Sequence, residues 1–429
     1  MMNNHFRSMA LRGLSLFTTA ALLTACAASQ AAAPATSEST ADEAVTFMAP
    51  YLNVEAFIDK VHSIYPEVNI EIVPYSGDNT TSCIQNMIEA HDLPDICTVT
   101  VYNPMTDDMS DQLIDLAGYD FTDNYIESRL QEVTDNGAIY LLPSVYNCYG
   151  ITYNKTLLQQ NGWTVPTSFA ELEQLAEKAE AAGVALCLPQ SQYPGYGFQY
   201  MCNIADADFL GTLDGKRWQK DYLSGKANVS GTPGMMQAMA YIQKWRDIGM
   251  LNGDGDPTSD EVTRQRMING DALFLLGGTN GIVEADGTRD KFGLMPYLSE
   301  DGSQNVFVLS VNRYFGLNKR LEQNPQKLED ALKVMRVLST VEGTTALYPE
   351  TKVKSSLMPF KNAKAHDTYY ADIADALNFG STAPFIYSGW ENTIVTTGNK
   401  MLDFMRGDAT IDEVIAQLDA DQDKVVNNT

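Results

Sequence analysis

Ile88-Glu89-Ala90-His91-Asp92-Leu93-Pro94-Asp95-Ile96-Cys97-Thr98-Val99-Thr100-Val101 is the stretch on which the fold turns. Ile96 to Val101 is β-rich and apolar enough for a central parallel strand, and Leu93-Pro94 closes the helix before it, which carries Ile84, Met87 and Ile88. Upstream, Val68, Ile70 and Ile72 alternate at period two, a strand closed by Pro74. Before that, Val54, Phe57, Ile58, Val61, Ile64 and Tyr65 fall on one helical face that Pro66 stops, and residues 45–49 give a short apolar strand. This βαβαβ order predicts an α/β protein with an open sheet and right-handed crossovers.

Downstream, Ala138 to Asn154 is a long β-prone stretch through Pro143. Ser168-x-x-Glu171 is a capping box for a helix whose apolar face is Phe169, Leu172, Leu175 and Ala176; Gly183 ends it and Val184–Leu188 is a strand. Residues 189–232 read as irregular, rich in Tyr and Gly. Pro233 opens a helix with Met235, Met239 and Ile242 inward. Strands follow at 272–276 and 305–315, a helix at 326–339, and a last helix capped by Thr410-x-x-Glu413. With 55 acidic against 29 basic residues, the 429-residue chain carries a formal charge of −26, which argues against a nucleic-acid partner. Past the N-terminus no apolar run approaches the roughly 20 residues of a membrane span.

Residues 1–25 pair Arg7 and Arg12 with the apolar run Leu14–Leu23, a secretory signal too short for a stable span. They end in Leu23-Thr24-Ala25-Cys26, which resembles a bacterial lipobox, so Cys26 is expected to be cleaved free and acylated. Residues 26–44, Ala/Ser/Thr-rich with Pro34, read as a flexible tether. The body is then anchored by lipid to the outer face of the cytoplasmic membrane. Cys83, Cys97, Cys148, Cys187 and Cys202 are too few and scattered for a disulfide scaffold, and most read as small buried hydrophobes; Cys187 and Cys202 could meet, and the odd count leaves at least one free thiol.

GxSxG, HExxH, Walker A and GxGxxG are all missing. The histidines His62, His91 and His366 are not spaced as metal ligands. Asn252-Gly253-Asp254-Gly255-Asp256 begins like a calcium loop, but Pro257 and Thr263 stand where the template needs Gly and Glu. No catalytic residue, metal or cofactor is therefore expected. Carboxylates are numerous enough that a glycosidase-like pair stays open as an alternative.

Several segments, in order along nearly the whole body, resemble the extracellular solute-binding proteins of sugar ABC importers, the maltodextrin-binding type. They are Ile88 to Ile96 with Pro94-Asp95, Leu142-Pro143 followed by Gly150 to Lys155, Gly162 to Leu172, Met267 to Phe274, and Val341-Glu342-Gly343. Asp271, Leu273 and Phe274 depart from the family pattern. The resemblance implies a two-lobed periplasmic-binding-protein (type II, Venus-flytrap) fold with multiple interlobe crossings, here near Tyr149–Ile151, Leu309–Val311 and Thr340–Gly343. Lobe one is then 45–150 plus 310–339, and lobe two 151–309 plus 340–429. It also implies a monomeric substrate-binding lipoprotein that captures a mono- or oligosaccharide and delivers it to the transmembrane subunits of an ABC permease.

Sugars offer apolar C–H faces to aromatic rings and hydroxyls to polar groups. Ligands in open α/β sheets sit beyond the carboxyl ends of strands, which selects Tyr51 and Asn53, Tyr102 and Asn103, Tyr146 and Asn147, and Gly278, Thr279 and Asn280. By resemblance, Tyr102 occupies a stacking position and Asn147 a polar cleft position. Positions 278–280 lack the aromatic of maltodextrin binders, which argues against a long linear maltodextrin. Tyr387 and Trp390 precede a helix beginning near Glu391, where the family presents an aromatic platform, and the Tyr193–Tyr200 loop adds Tyr196 and Phe198 as cleft walls. Trp218, Trp245 and the Met-rich 235–239 segment read as core. Two rival readings differ in class: a surface glycan-active enzyme with a carboxylate pair, and a receptor for a cationic solute, which would need three or four carboxylates in the cleft.

Overall fold

The computed structural model describes residues 43–51, 53–74, 80–100, 102, 108–252, 259–277, 289–348, 356–363, 370, 373–379, 382–386 and 389–427. Strands β1 (Val45–Phe47), β2 (Ile70–Ile72) and β3 (Ile96–Val99) alternate with helices Glu55–Ile64 and Thr80–Glu89. β1 pairs in parallel with both β2 and β3, as the opening stretch dictates. Asp95, at the foot of β3, locks this start. Its Oδ2 accepts from the Thr46 amide at 2.9 Å and the Thr46 hydroxyl at 2.7 Å, and Lys327 Nζ lies 2.9 Å from the same oxygen.

Two short strands, β4 (Thr134–Asp135) and β5 (Ala138–Ile139), form a hairpin at Asn136-Gly137. The chain then runs through β6 (Leu142–Pro143), β7 (Tyr146–Tyr149) and β8 (Ile151–Asn154), each in a different sheet. β8 joins β9 (Ala185–Pro189), β10 (Ala272–Leu276) and β11 (Phe292–Met295) in the order β11-β8-β10-β9. The return leg is β12 (Phe307–Val311), antiparallel to β7 with Tyr149 opposite Val308 and Asn147 opposite Ser310, then β13 (Tyr314–Leu317). β13 lies between β3 and β6 and completes the five-stranded sheet β2-β1-β3-β13-β6. β14 (Ser356–Leu357) and β15 (Thr382–Pro384) flank β7 and β12.

The expected 305–315 strand is thus two strands, broken at Asn312-Arg313 as the chain leaves one sheet for another. The passage from β7 to β8 requires glycine: a Cβ on Gly150 would lie 2.6 Å from the Met295 carbonyl oxygen.

Side chains cluster accordingly. One core gathers Phe47, Phe57, Ile96, Leu142, Phe315 and Val334 around the five-stranded sheet. Two others cover the faces of the sheet containing β10: Leu273 and Leu276 point into one with Trp245 and Phe404, Ala272 and Leu275 into the other with Phe292. The fold is α/β and two-lobed, with β7 and β12 running between the bodies.

Two expectations need correction. Helix Val341–Leu347 was expected beyond a crossing at Thr340–Gly343, yet Leu347, Tyr348 and Phe360 pack into the first core. The cause is local: a Cβ on Gly343 would lie 1.9 Å from the Val337 carbonyl, so the chain turns tightly back on helix Pro325–Leu338 instead of leaving it. Residues 189–232, read as irregular, contain helices Pro194–Ala205 and Leu213–Leu223 with a π-helical turn, Asp206–Leu210, between them. Pro194 starts the first at its favoured N-terminal position, and Gly197 lets it lie against helix Glu391–Arg406, where a Cβ would stand 2.5 Å from the Gly398 carbonyl. The five cysteines named above are buried. Burial pushes the Cys97 thiol up to about 12.

Candidate ligand cleft

Between the cores, over β7 and β12, lies a cavity of about 650 Å³. Its floor is Asn147 of β7 with Leu309, Ser310 and Val311 of β12. Thr100, Tyr102, Ser128, Gln131, Glu132, Asn312, Arg313 and Tyr314 line it on the side of the first core; Asp206, Leu210, Lys216, Gln219, Ile386 and Trp390 line it on the side of the second. A smaller cavity of about 180 Å³ has Phe385 in common with it and is walled by Tyr149, Tyr193, Tyr196, Tyr200 and Tyr297, with Gly277 at the end of β10.

Three sequence-predicted residues meet in the larger cavity. Tyr102, 8% exposed, packs edge-on against Tyr314 with ring centroids 5.8 Å apart. Asn147 stands on the connecting strand. Trp390 is 4% exposed and stacked on Tyr222 at 4.6 Å and 8°, so it offers the cavity only part of its surface while its body packs against Phe198 and Trp218. Tyr196 lines the smaller cavity instead, and its hydroxyl donates to Asp260 Oδ2 at 2.6 Å.

Others go elsewhere. Phe198 is fully buried in the second core, because residue 198 belongs to a helix rather than a loop. Tyr146 is buried under the cavity and supports it indirectly: its hydroxyl donates to Glu132 Oε2 at 3.2 Å. Tyr51 is 38% exposed and packs edge-on against Tyr348, while Asn53 is exposed and accepts from the Glu55 amide; neither lines these cavities. Asn103, Gly278, Thr279, Asn280, Tyr387 and Cys26 lie outside the described residues.

The charged lining was not foreseen. Glu132 is paired with Arg129 at 2.7 Å. Arg129 is itself buried, donates to the Leu377 carbonyl at 2.7 Å and lies 5.2 Å over the Tyr146 ring. Burial raises the pKa of Glu132 against the opposing pull of Arg129, Tyr146 and Lys216. Asp206 is 5% exposed and its Oδ2 has no hydrogen-bond partner among the described residues. Burial holds its carboxyl well above the ordinary carboxylate range, with Lys216 the opposing charge. Asp206 opens a π-helical turn, and such turns recur at functional sites. It lies at no strand end, so a search of strand ends passes over it. Asn312 and Arg313 had a usable signal: two polar residues interrupting an apolar β run. Among the described residues the lining thus holds two carboxylates, short of the three or four a polycation would call for.

Two α/β bodies joined by paired strands over a mixed aromatic and polar cleft form the kind of concave site in which proteins hold ligands. The family of bacterial extracellular solute-binding proteins matches residues 54–374, and the chain belongs to it. The maltodextrin-binding protein MdxE of Bacillus subtilis (strain 168) is 26% identical over 185 residues, 41% of this chain. That stretch is 40% of MdxE, so the match spans less than half of either protein. A family 1 extracellular solute-binding protein from Bifidobacterium longum subsp. infantis shares the fold with a TM-score of 0.72 at 16% identity, over 89% of this chain and 99% of its own. The solute-binding protein RafE in complex with raffinose gives a TM-score of 0.63 at 17% identity, over 90% and 100%.

Proposed function

We propose that this chain is the substrate-binding lipoprotein of an ABC importer, capturing a carbohydrate in the larger cavity and releasing it unchanged to a membrane permease. The observation that carries this reading is the cavity of about 650 Å³, where Tyr102 and Trp390 present ring surface and Asn147, Ser310, Asn312 and Gln219 present hydrogen-bonding groups. Aromatic faces with scattered polar groups suit sugar rings. MdxE is a maltodextrin binder by name and RafE holds raffinose, which points the same way. The lining joins both cores, so a ligand touching both walls stabilises the closed arrangement over the open one. Of the two carboxylates that line the cleft among the described residues, Glu132 is engaged by Arg129 and Tyr146, which speaks against its pairing with Asp206 to cleave a glycan. Cys26 would hold the body at the outer face of the membrane through its lipid, with residues 26–44 as tether.

Titration calorimetry against mono- and oligosaccharides is the test. A Kd near micromolar, about −8 kcal/mol, is expected for at least one of them. Silence across the sugars, with heat from another solute class, would overturn the carbohydrate assignment. Free reducing ends appearing during incubation would overturn the assignment of capture without turnover.

A further inference from the structure

Among the described residues, two cations around the larger cavity lack a carboxylate partner. The carboxylate and cationic side chains that line it, among the described residues, are Glu132, Asp206, Lys216 and Arg313. Glu132 is already matched by Arg129 at 2.7 Å and accepts from the Tyr146 hydroxyl as well. Lys216 and Arg313 have no carboxylate within ion-pair distance among the described residues. The Arg313 guanidinium donates one bond, from Nη1 to the Asn312 carbonyl at 2.6 Å, while its enclosed Nε has no partner. Its backbone is fixed on both sides by Ser144, whose hydroxyl accepts from the Arg313 amide at 3.0 Å and whose amide donates to the Arg313 carbonyl at 2.8 Å. The fork is therefore anchored at its base with donors to spare.

Asp206 forms no ion pair with Lys216 or Arg313 among the described residues. Its deeply buried carboxyl is held toward the neutral form, in which it offers both a donor and an acceptor. Among its described residues the cleft of a chain with a formal charge of −26 thus presents two cations without an ion-pair partner, Arg313 beside the first core and Lys216 on helix Leu213–Leu223 of the second. A half-buried guanidinium whose enclosed Nε lacks an acceptor is costly unless the ligand supplies one, and a carboxylate does so with planar, bidentate geometry.

We propose that the ligand is an acidic saccharide, one that carries a carboxylate read by Arg313 and Lys216, with Asp206 bonding to a hydroxyl of the same ligand. This rests on the carbohydrate reading and narrows it. It also reverses the cationic-solute alternative that the overall acidity of the chain raises.

The test is calorimetry on the intact chain with oligogalacturonides of two to four units, a glucuronate-capped xylo-oligosaccharide and sialyllactose, each beside its carboxyl-reduced counterpart. The reduced compounds keep linkage, length and hydroxyl pattern and lose only the charge. At least one acidic compound is expected to bind tenfold or more tighter than its reduced form, and less tightly as salt rises. Arg313→Gln and Lys216→Gln, confirmed folded by an unchanged thermal midpoint, should each bring that ratio down toward one. Reduced compounds binding as well as acidic ones would overturn the proposal and leave the carbohydrate reading standing. A selectivity ratio that neither substitution moves would overturn the assignment of Arg313 and Lys216. Failure of every saccharide, acidic or neutral, would remove the carbohydrate reading and this proposal with it.

Discussion

Asp95→Ala is the substitution whose cost can be worked out most fully. The carboxylate is 1% exposed, accepts from the amide and hydroxyl of Thr46, and lies 2.9 Å from Lys327 Nζ and 3.5 Å from Arg320 Nε. Removing it frees the Thr46 amide on β1 and leaves Lys327, whose side chain is 13% exposed, with only the exposed Glu43, at 3.7 Å, among the described residues. Breaking a buried pair from one side costs about 3–5 kcal/mol, and hydrogen bonds to a charged group about 1.5–3 kcal/mol. These overlap, since the same carboxylate serves both, so the loss is about 4 kcal/mol. For a lobe of this size that lowers the melting temperature by roughly 10 °C. Burial alone would raise the carboxyl pKa, but the Thr46 donors and Lys327 outweigh it and the folded value lies below the ordinary one. The contribution is therefore complete above the unfolded pKa of about 3.9 and is lost as pH falls through the folded value. Scanning calorimetry of wild type and Asp95→Ala at pH 7 and at pH 3 measures both effects. A drop of less than about 3 °C at pH 7, or a gap that widens on acidification, would refute this account of how β1 is held to β3.

Gly150→Ala forces its Cβ against the Met295 carbonyl, and backbone cannot yield as a side chain can; a loss of about 2–3 kcal/mol is expected in denaturant titration, together with an altered change in radius of gyration on ligand addition. Trp390→Ala removes a ring that both lines the cavity and stacks on Tyr222, so it should lower stability by about 3–5 kcal/mol and sugar affinity more than tenfold, read by calorimetry. Cys83, Cys97, Cys148, Cys187 and Cys202 are buried, so Ellman's reagent should reach them only after denaturation.

The first lobe was legible because its signals are local. Pro66 and Pro74 bound elements, Val68, Ile70 and Ile72 alternate, and Ile96–Val99 is apolar on both faces. The capping boxes also held: Ser168 Oγ accepts from the Glu171 amide at 3.4 Å, and Thr410 Oγ1 from the Glu413 amide at 3.3 Å. What stayed hidden depends on partners distant in sequence. Gly197 falls in the Tyr193–Tyr200 stretch read as a loop, but with Gly398 it serves the approach of two helices. Tyr146 and Phe198 have the composition of ligand contacts and are turned into cores by neighbours some 14 to 190 residues away, Glu132 and Trp390 among them. The site was half readable: Tyr102 follows the strand-end rule, Asn147 lies within β7 just before the chain passes to β8, and Trp390 was reached through the family resemblance, whereas Asp206 and Lys216 come from helical segments that none of these visits.

All four tryptophans lie in one lobe. Trp218, Trp245 and Trp390 are within the core around β10 and Trp163 packs against it, whereas the core built on β1 and β3 contains Tyr and Phe but no indole. Intrinsic emission excited at long wavelength is accordingly blind to half of the molecule. A fluorescence melt would register the second lobe alone, and a variant such as Asp95→Ala could lose its first lobe without dimming the signal. The same asymmetry makes Trp390 a built-in optical probe, placed where an arriving ligand would quench or shift it.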